Sequence, residues 1–209
     1  MRIVCGVGIN DADYKVQINS NINKKAVCLW KCPYYTKWKS MLERCYSIKV
    51  KTKHQSYKDC YVCEEWLLFS NFKSWMEKQD WEDKSLDKDL LIYNNKIYSP
   101  ETCIFLPKEM NCFLIQNKSM RAKYPMGVHK LEDGYRKKPF MSMISIKDTK
   151  ILLGYFDTPQ EAHKEWQKAK LERATYFMDI SKGRIQQGFK RVVDKIQNDL
   201  NNNLITEDF

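Results

Sequence analysis

FMSMISIKDTKILLGYFDTPQEAHKEW, residues 140–166, changes its periodicity part-way along. Up to Lys147 the residues sort by alternation. Phe140, Ser142, Ile144 and Ile146 fall on one side, Met141, Met143, Ser145 and Lys147 on the other, which is the period of a β-strand. KDT then makes a turn and ILLGYF a further strand. At Asp157-Thr158-Pro159 the pattern becomes helical, with Thr158 as N-cap, Pro159 in the first position and Glu161 three residues after the cap. Ala162, Trp166, Ala169 and Phe177 recur on one face of that helix. Upstream, YPMGVHKLEDGYRKKP (124–139) supplies another strand and an EDG turn. The expectation is three short strands backed by one helix, with the opposite face of the sheet left to solvent or a ligand. GRIQQGFKRVVDKIQNDLNNN (183–203) reads as a weaker amphipathic helix and a polar tail that should fray.

Toward the N-terminus the reading changes at NKSMRAKY (117–124), a basic polar linker without periodicity. PYYTKWKSMLERCYS (33–47) reads as a helix begun by proline, with Tyr35, Trp38, Met41, Leu42 and Cys45 on one buried face. A basic loop, IKVKTKHQSYKD, follows. CYVCEEWLLFSNFKSWMEKQDW (60–81) starts strand-like and turns helical from Glu64, placing Trp66, Phe69, Phe72, Trp75 and Met76 on one side. Aromatics at that spacing belong to a core. In LDKDLLIYNNKIYSPETCIFLPKEMN (86–111), Leu86–Leu91 reads as a strand, YNNK as a turn, ETCIFLP as a second strand, and a short helix begins after Pro107.

The bulk properties narrow the function. The chain has 209 residues and a net charge of +10, which favours a polyanionic partner. Its start, MRIVCGVGINDADYK, does not read as a signal peptide, and no apolar run is long enough to span a bilayer. The expectation is a soluble cytoplasmic protein without a membrane partner, whose eight cysteines are reduced. Cys28 and Cys32 form a CxxxC and Cys60 and Cys63 a CxxC. That set could bind zinc through four thiolates or be small core residues.

Two resemblances add to this reading. GVHK (127–130), the FMSMISI strand and LGYFDTPQEAHKEW (153–166) resemble the APETALA2-type DNA-binding domain, in which a three-stranded antiparallel sheet lies in the DNA major groove. The positions matching its DNA-facing side are Lys130, Arg136, Met141, Met143, Ser145, Lys147 and Lys150, with Lys137 and Lys138 as further phosphate contacts. Methionine stands at 141 and 143 where that family tends to have arginine. Residues from Cys32 to Asn111, anchored by CPYYTKWKSMLERCYS, YKDCYVCEEWLLFSNFKSWM, LDKDLL and IYSPETCIFLP, resemble phage-encoded HNH-type homing endonucleases.

Together these imply an α+β chain: an HNH-like ββα-metal domain with a helical, aromatic core over 1–118, an APETALA2-type domain over 119–180, and a C-terminal helix and tail over 181–209. They imply hydrolysis of double-stranded DNA with Mg²⁺ or Mn²⁺, in the host cytoplasm if the gene is a phage's. Asp87 and Asn111 would be the metal ligands, and Lys88 stands at the position of the general base. Asp89 and His54 are the other candidates for that catalytic work. A lysine is a poor base at neutral pH, and flanking aspartates favour its protonated form. The alternative is therefore a catalytically inactive relative that binds DNA or a host protein, such as an inhibitor of a host defence.

Overall fold

The structure is a computed structural model that describes residues 2–22, 25–115, 124–132, 135, 137–147 and 149–209, without the side chains of 21, 22, 25 and 26. Two compact units divide the chain, Met1–Phe105 and Leu106–Phe209. The first begins with two antiparallel hairpins, β1 (Arg2–Val4) with β2 (Gly8–Asn10) and β3 (Gln17–Ile22) with β4 (Lys25–Lys31). Then come α1 (Pro33–Tyr46), α2 (Ile48–Lys53), β5 (Tyr61–Val62), α3 (Phe69–Met76), β6 (Lys84–Asp87), β7 (Ile97–Tyr98) and β8 (Ile104–Pro107). β5 pairs in parallel with β7, and β6 pairs with β8.

α1 takes the face its spacing predicts: Tyr35, Trp38, Met41, Leu42 and Cys45 are its buried residues. Trp38 is fully buried and donates its indole N–H to the Trp66 carbonyl at 2.7 Å, so its one polar atom is satisfied inside the core. Phe69 packs on it, and Trp66 meets Phe72 edge-on at 5.0 Å. β2 passes so close that a Cβ on Gly8 would lie 2.3 Å from Leu42 and 2.9 Å from Trp38, which restricts the position to glycine.

Three local expectations change. The segment 48–59 contains α2 and a short 3₁₀ turn rather than a loop alone. The helical stretch from Glu64 is broken at Leu68, whose backbone is extended (φ −88°, ψ 125°) between a 3₁₀ turn and α3. The strand expected over Leu86–Leu91 stops at Asp87, because the Asp87 side chain accepts the N–H groups of residues 89 and 90 and bends the chain back on itself.

The second unit holds α4 (Lys108–Leu114), β9 (Val128–Lys130), β10 (Phe140–Ile146), β11 (Thr149–Phe156), α5 (Pro159–Ile180) and α6 (Gly183–Asn201). The division falls within β8, between Phe105 and Leu106, rather than in the 117–124 linker, most of which lies outside the described residues. The reason is Phe113, whose ring packs against Phe177, Phe189 and Phe209. The three strands form an antiparallel sheet with β10 in the centre. α5 starts with the full capping box expected of Thr158 and Glu161 and buries Ala162, Trp166 and Phe177.

The tail is not frayed. His163 is buried, with Nδ1 2.8 Å from the Met126 carbonyl while its Nε2 accepts the Thr206 N–H at 3.0 Å. Gln167 donates to the Thr206 hydroxyl, which itself donates to Asp199. Lys170, buried among Phe113, Trp166 and Phe209, donates to the Phe113 carbonyl at 2.6 Å, and burial pulls its pKa down to about 7.

Gly127 joins sheet to helix. Its φ is +76°, and a Cβ there would lie 2.1–2.7 Å from Trp166 side-chain atoms. Gly127→Ala combines left-handed strain, on the order of 1–3 kcal/mol, with steric overlap. The expected outcome is a fall of several degrees in the melting temperature of the full chain, since each kcal/mol is worth roughly 4–8 °C in a unit this size. Differential scanning calorimetry checks it.

Candidate functional site

The candidate site is built around the end of β6, and α1 holds that strand. Lys37 donates to the Lys84 carbonyl and Arg44 to the Leu86 carbonyl at 3.4 Å. Residues 37 and 44 are two turns apart on one helix face, and carbonyls 84 and 86 point the same way along a strand. This register fixes where Asp87 emerges. Arg44 also pairs with Tyr98 and lies 5.9 Å over the Tyr57 ring.

Asp87 is buried. Its Oδ1 accepts the backbone N–H of Asp89 at 3.0 Å and of Leu90 at 2.7 Å, which turns the chain and orients the carboxylate. Burial pushes its pKa up to about 6, and the two N–H bonds only partly oppose that. Lys88, next in sequence, turns its ammonium to the Asp89 carboxylate at 2.5 Å and to the Asn95 carbonyl at 2.7 Å. Its side chain is only 5% exposed. Burial works against its charge, but the Asp89 carboxylate outweighs that and holds the pKa above its ordinary value.

Asn95 closes the loop. Its Nδ2 donates to the carbonyls of Lys88 and Ile97, and its Oδ1 accepts the Ile97 N–H. Ser99 and Thr102 knit the following turn, where Thr102 donates to the Ile97 carbonyl at 2.8 Å.

The expected site residues are only partly brought together. Asp87, Lys88 and Asp89 form one cluster. Within it the Lys88 ammonium is turned to the Asp89 carboxylate and the Asn95 carbonyl, away from the Asp87 carboxylate's own hydrogen bonds. His54 caps the C-terminal end of α2, is exposed, and sets its ring against Tyr57. Asn111 is half-buried on α4, in the second unit. The four cysteines proposed for zinc are not gathered. Among the described residues no group of three or more His, Cys, Asp or Glu is placed to hold a metal ion. Cys28 is exposed with its thiol toward the Trp30 carbonyl, Cys32 meets the Tyr14 hydroxyl, Cys60 points at the Ser56 carbonyl, and Cys63 is half-buried.

On the sheet, register sorts the expected DNA-facing residues. Met141 lies across from His129 and Tyr155, Met143 from Leu152, and Ser145 from Lys150, all on the face away from Ser142 and Ile144. Lys130 lies across from Phe140, so it belongs to the other side, and His129 takes the place expected of it. Period two counted from buried Val128 would have found this. Lys137, Lys138, Lys147 and Lys150 are exposed, and Arg136 lies outside the described residues. Arg44, Asn95, Leu152 and Tyr155 are the residues that sequence reasoning does not single out.

No family model matches this chain, nor does any curated protein or solved structure. No helix among the described residues is long and apolar enough to cross a membrane.

Asp87 makes the site pH-sensitive. Its folded pKa lies above its unfolded one, so its contribution to stability is complete below about pH 4 and is lost as pH rises through about 6. Asp87→Asn keeps the acceptor for both N–H groups and removes the buried charge. It should stabilise the protein at pH 7.5 by roughly 2–3 kcal/mol, with the gain vanishing at pH 4. Denaturant unfolding at the two pH values checks it.

Proposed function

We propose that the chain is a metal-dependent DNA endonuclease whose second unit binds duplex DNA through the open face of its sheet. The observation that carries this reading is Asp87: a carboxylate at the end of β6, a strand paired with β8, oriented by two backbone N–H groups and kept where its negative charge lacks full compensation. A divalent cation fits such a group, because it supplies the missing positive charge through an oxygen ligand. Asp87 would hold Mg²⁺ or Mn²⁺ through its carboxylate. The ion's contribution to phosphodiester hydrolysis is to neutralise charge at the phosphorus and at the leaving oxygen. Lys88 serves here by closing the loop that carries Asp87. The net charge of +10 and the exposed lysines on the sheet supply attraction to phosphates.

One observation favours a second reading, DNA binding without cleavage. The base position is filled by a lysine held protonated, and His54 makes its ring contact with Tyr57 instead. Under that reading the loop is structural and the protein acts by occupying DNA or a host protein.

Nicking of supercoiled DNA in Mg²⁺ or Mn²⁺ separates the two. The endonuclease reading expects nicked circles with the natural protein, a rate at least about a hundredfold lower with Asp87→Ala, and unchanged DNA binding in EDTA. Absence of nicking by the natural protein in either ion, with DNA still bound, replaces it by the second reading. In the same binding assay, Lys147→Ala with Lys150→Ala should flatten the salt dependence of affinity, by about one unit of slope for each lysine that neutralises a phosphate.

A further inference from the structure

Resting on the DNA-binding reading above, we infer that the open face of the β9–β10–β11 sheet recognises the C5-methyl group of thymine in the major groove. Met141, Met143, Leu152 and the Tyr155 ring make the centre of that face apolar, with His129 at its edge. Met141 lies between His129 and Tyr155, and Met143 lies beside Leu152. Leu152 is 46% exposed and Tyr155 37%, so this block is not sealed under the helix, which takes the opposite face with Val128, Ser142 and Ile144. Polar and cationic groups stand beyond it: Ser145 and Lys150 paired across the strands, with Lys147 exposed in the turn that joins them.

A bulge builds the block. Ser142 pairs with Gly154, but Met143 pairs with Leu152, leaving Leu153 as the extra residue. Without it Met143 would face Leu153, and Leu152 would lie across from Ile144 on the helix side. The bulge therefore brings Leu152 to the open face beside Met143, where β-bulges commonly re-aim a side chain.

The chemistry of the block selects its ligand. Guanine is read by the bidentate fork of arginine or by lysine, and adenine by asparagine or glutamine. None of these occurs among His129, Met141, Met143, Leu152 and Tyr155. The base-edge feature that apolar side chains do recognise is the thymine methyl, which projects into a groove wide enough for a two-stranded ribbon. The exposed lysines at the hairpin end, Lys147 and Lys150, add charge complementary to DNA phosphates. Duplex DNA is thus the occupant that fits both the apolar centre and the charged border.

The test is fluorescence anisotropy of the full chain in EDTA with four labelled duplexes of equal length. One is alternating dA·dT, a second is the same duplex with deoxyuridine for every thymidine, a third is alternating dG·dC, and a fourth carries 5-methylcytosine for every cytosine. The expected result is several-fold to about tenfold weaker binding on replacing thymine by uracil, and a comparable gain on methylating cytosine. Met143→Ala with Leu152→Ala should abolish both differences while circular dichroism and salt dependence stay unchanged. Equal affinity for the thymine and uracil duplexes overturns the inference and leaves DNA binding standing. Failure to bind any of the four at low salt overturns the inference together with the reading it rests on.

Discussion

The first unit depends on Trp38. Its indole fills the centre of the core, its N–H is satisfied by the Trp66 carbonyl, and one strand crosses it at a glycine because nothing larger fits. That single placement fixes the rotation of α1 about its axis. Once the apolar stripe is set, the stripe bearing Lys37 and Arg44 must face outward from the core. It does so against the carbonyls of β6. Cationic donors at a helical spacing of seven thus hold strand carbonyls at a spacing of two, and the exit of the chain at Asp87 follows. Truncating a buried tryptophan costs roughly 3–5 kcal/mol, and because the same helix carries the donors to β6, the loss bears on the strand that presents Asp87 as well as on the core.

The second unit solves a similar problem with other groups. Trp166 lies over Gly127, and His163 one turn earlier stacks on it at 5.4 Å. Because Nε2 of that histidine accepts an N–H, its proton must sit on Nδ1, where it is donated to the Met126 carbonyl. One imidazole in one tautomer therefore ties the start of the sheet to the last residues of the chain. The open sheet face has no such constraint and can carry side chains suited to contact rather than to packing.

Legibility in the sequence follows from where the forces are local. α1 and α5 are legible because their spacing, proline positions and capping residues act within a few residues of themselves. The three-stranded sheet is legible because residues 141–147 alternate cleanly. β1 to β4 carry no such pattern, and their pairing is decided by partners along each hairpin. The tail reads as frayed because it is polar. Yet Thr206 is held by Gln167 and His163, 39 and 43 residues away, and Phe209 packs on Phe113. Lys88 misleads for a related reason. Its charge suggests solvent or chemistry, whereas its burial is decided by Asp89 and by a backbone carbonyl seven residues on.

The contrast between Asp87 and Lys88 bears on what the loop is for. Both are buried and ionisable, but they stand differently. The ammonium of Lys88 has a carboxylate and a carbonyl in contact, so its burial is offset and needs no further cause. Asp87 accepts two backbone N–H groups, which compensate part of a full charge and leave its pKa raised. If the turn were its whole purpose, asparagine would accept the same two N–H bonds without the cost of ionisation. A carboxylate held in a position where a neutral amide would be more stable is the pattern expected when local stability is given up for chemistry. A cation held by the carboxylate, as proposed above, would remove that cost. On that argument Asp87 is the residue through which the proposed activity stands or falls, and Lys88 belongs to the frame around it.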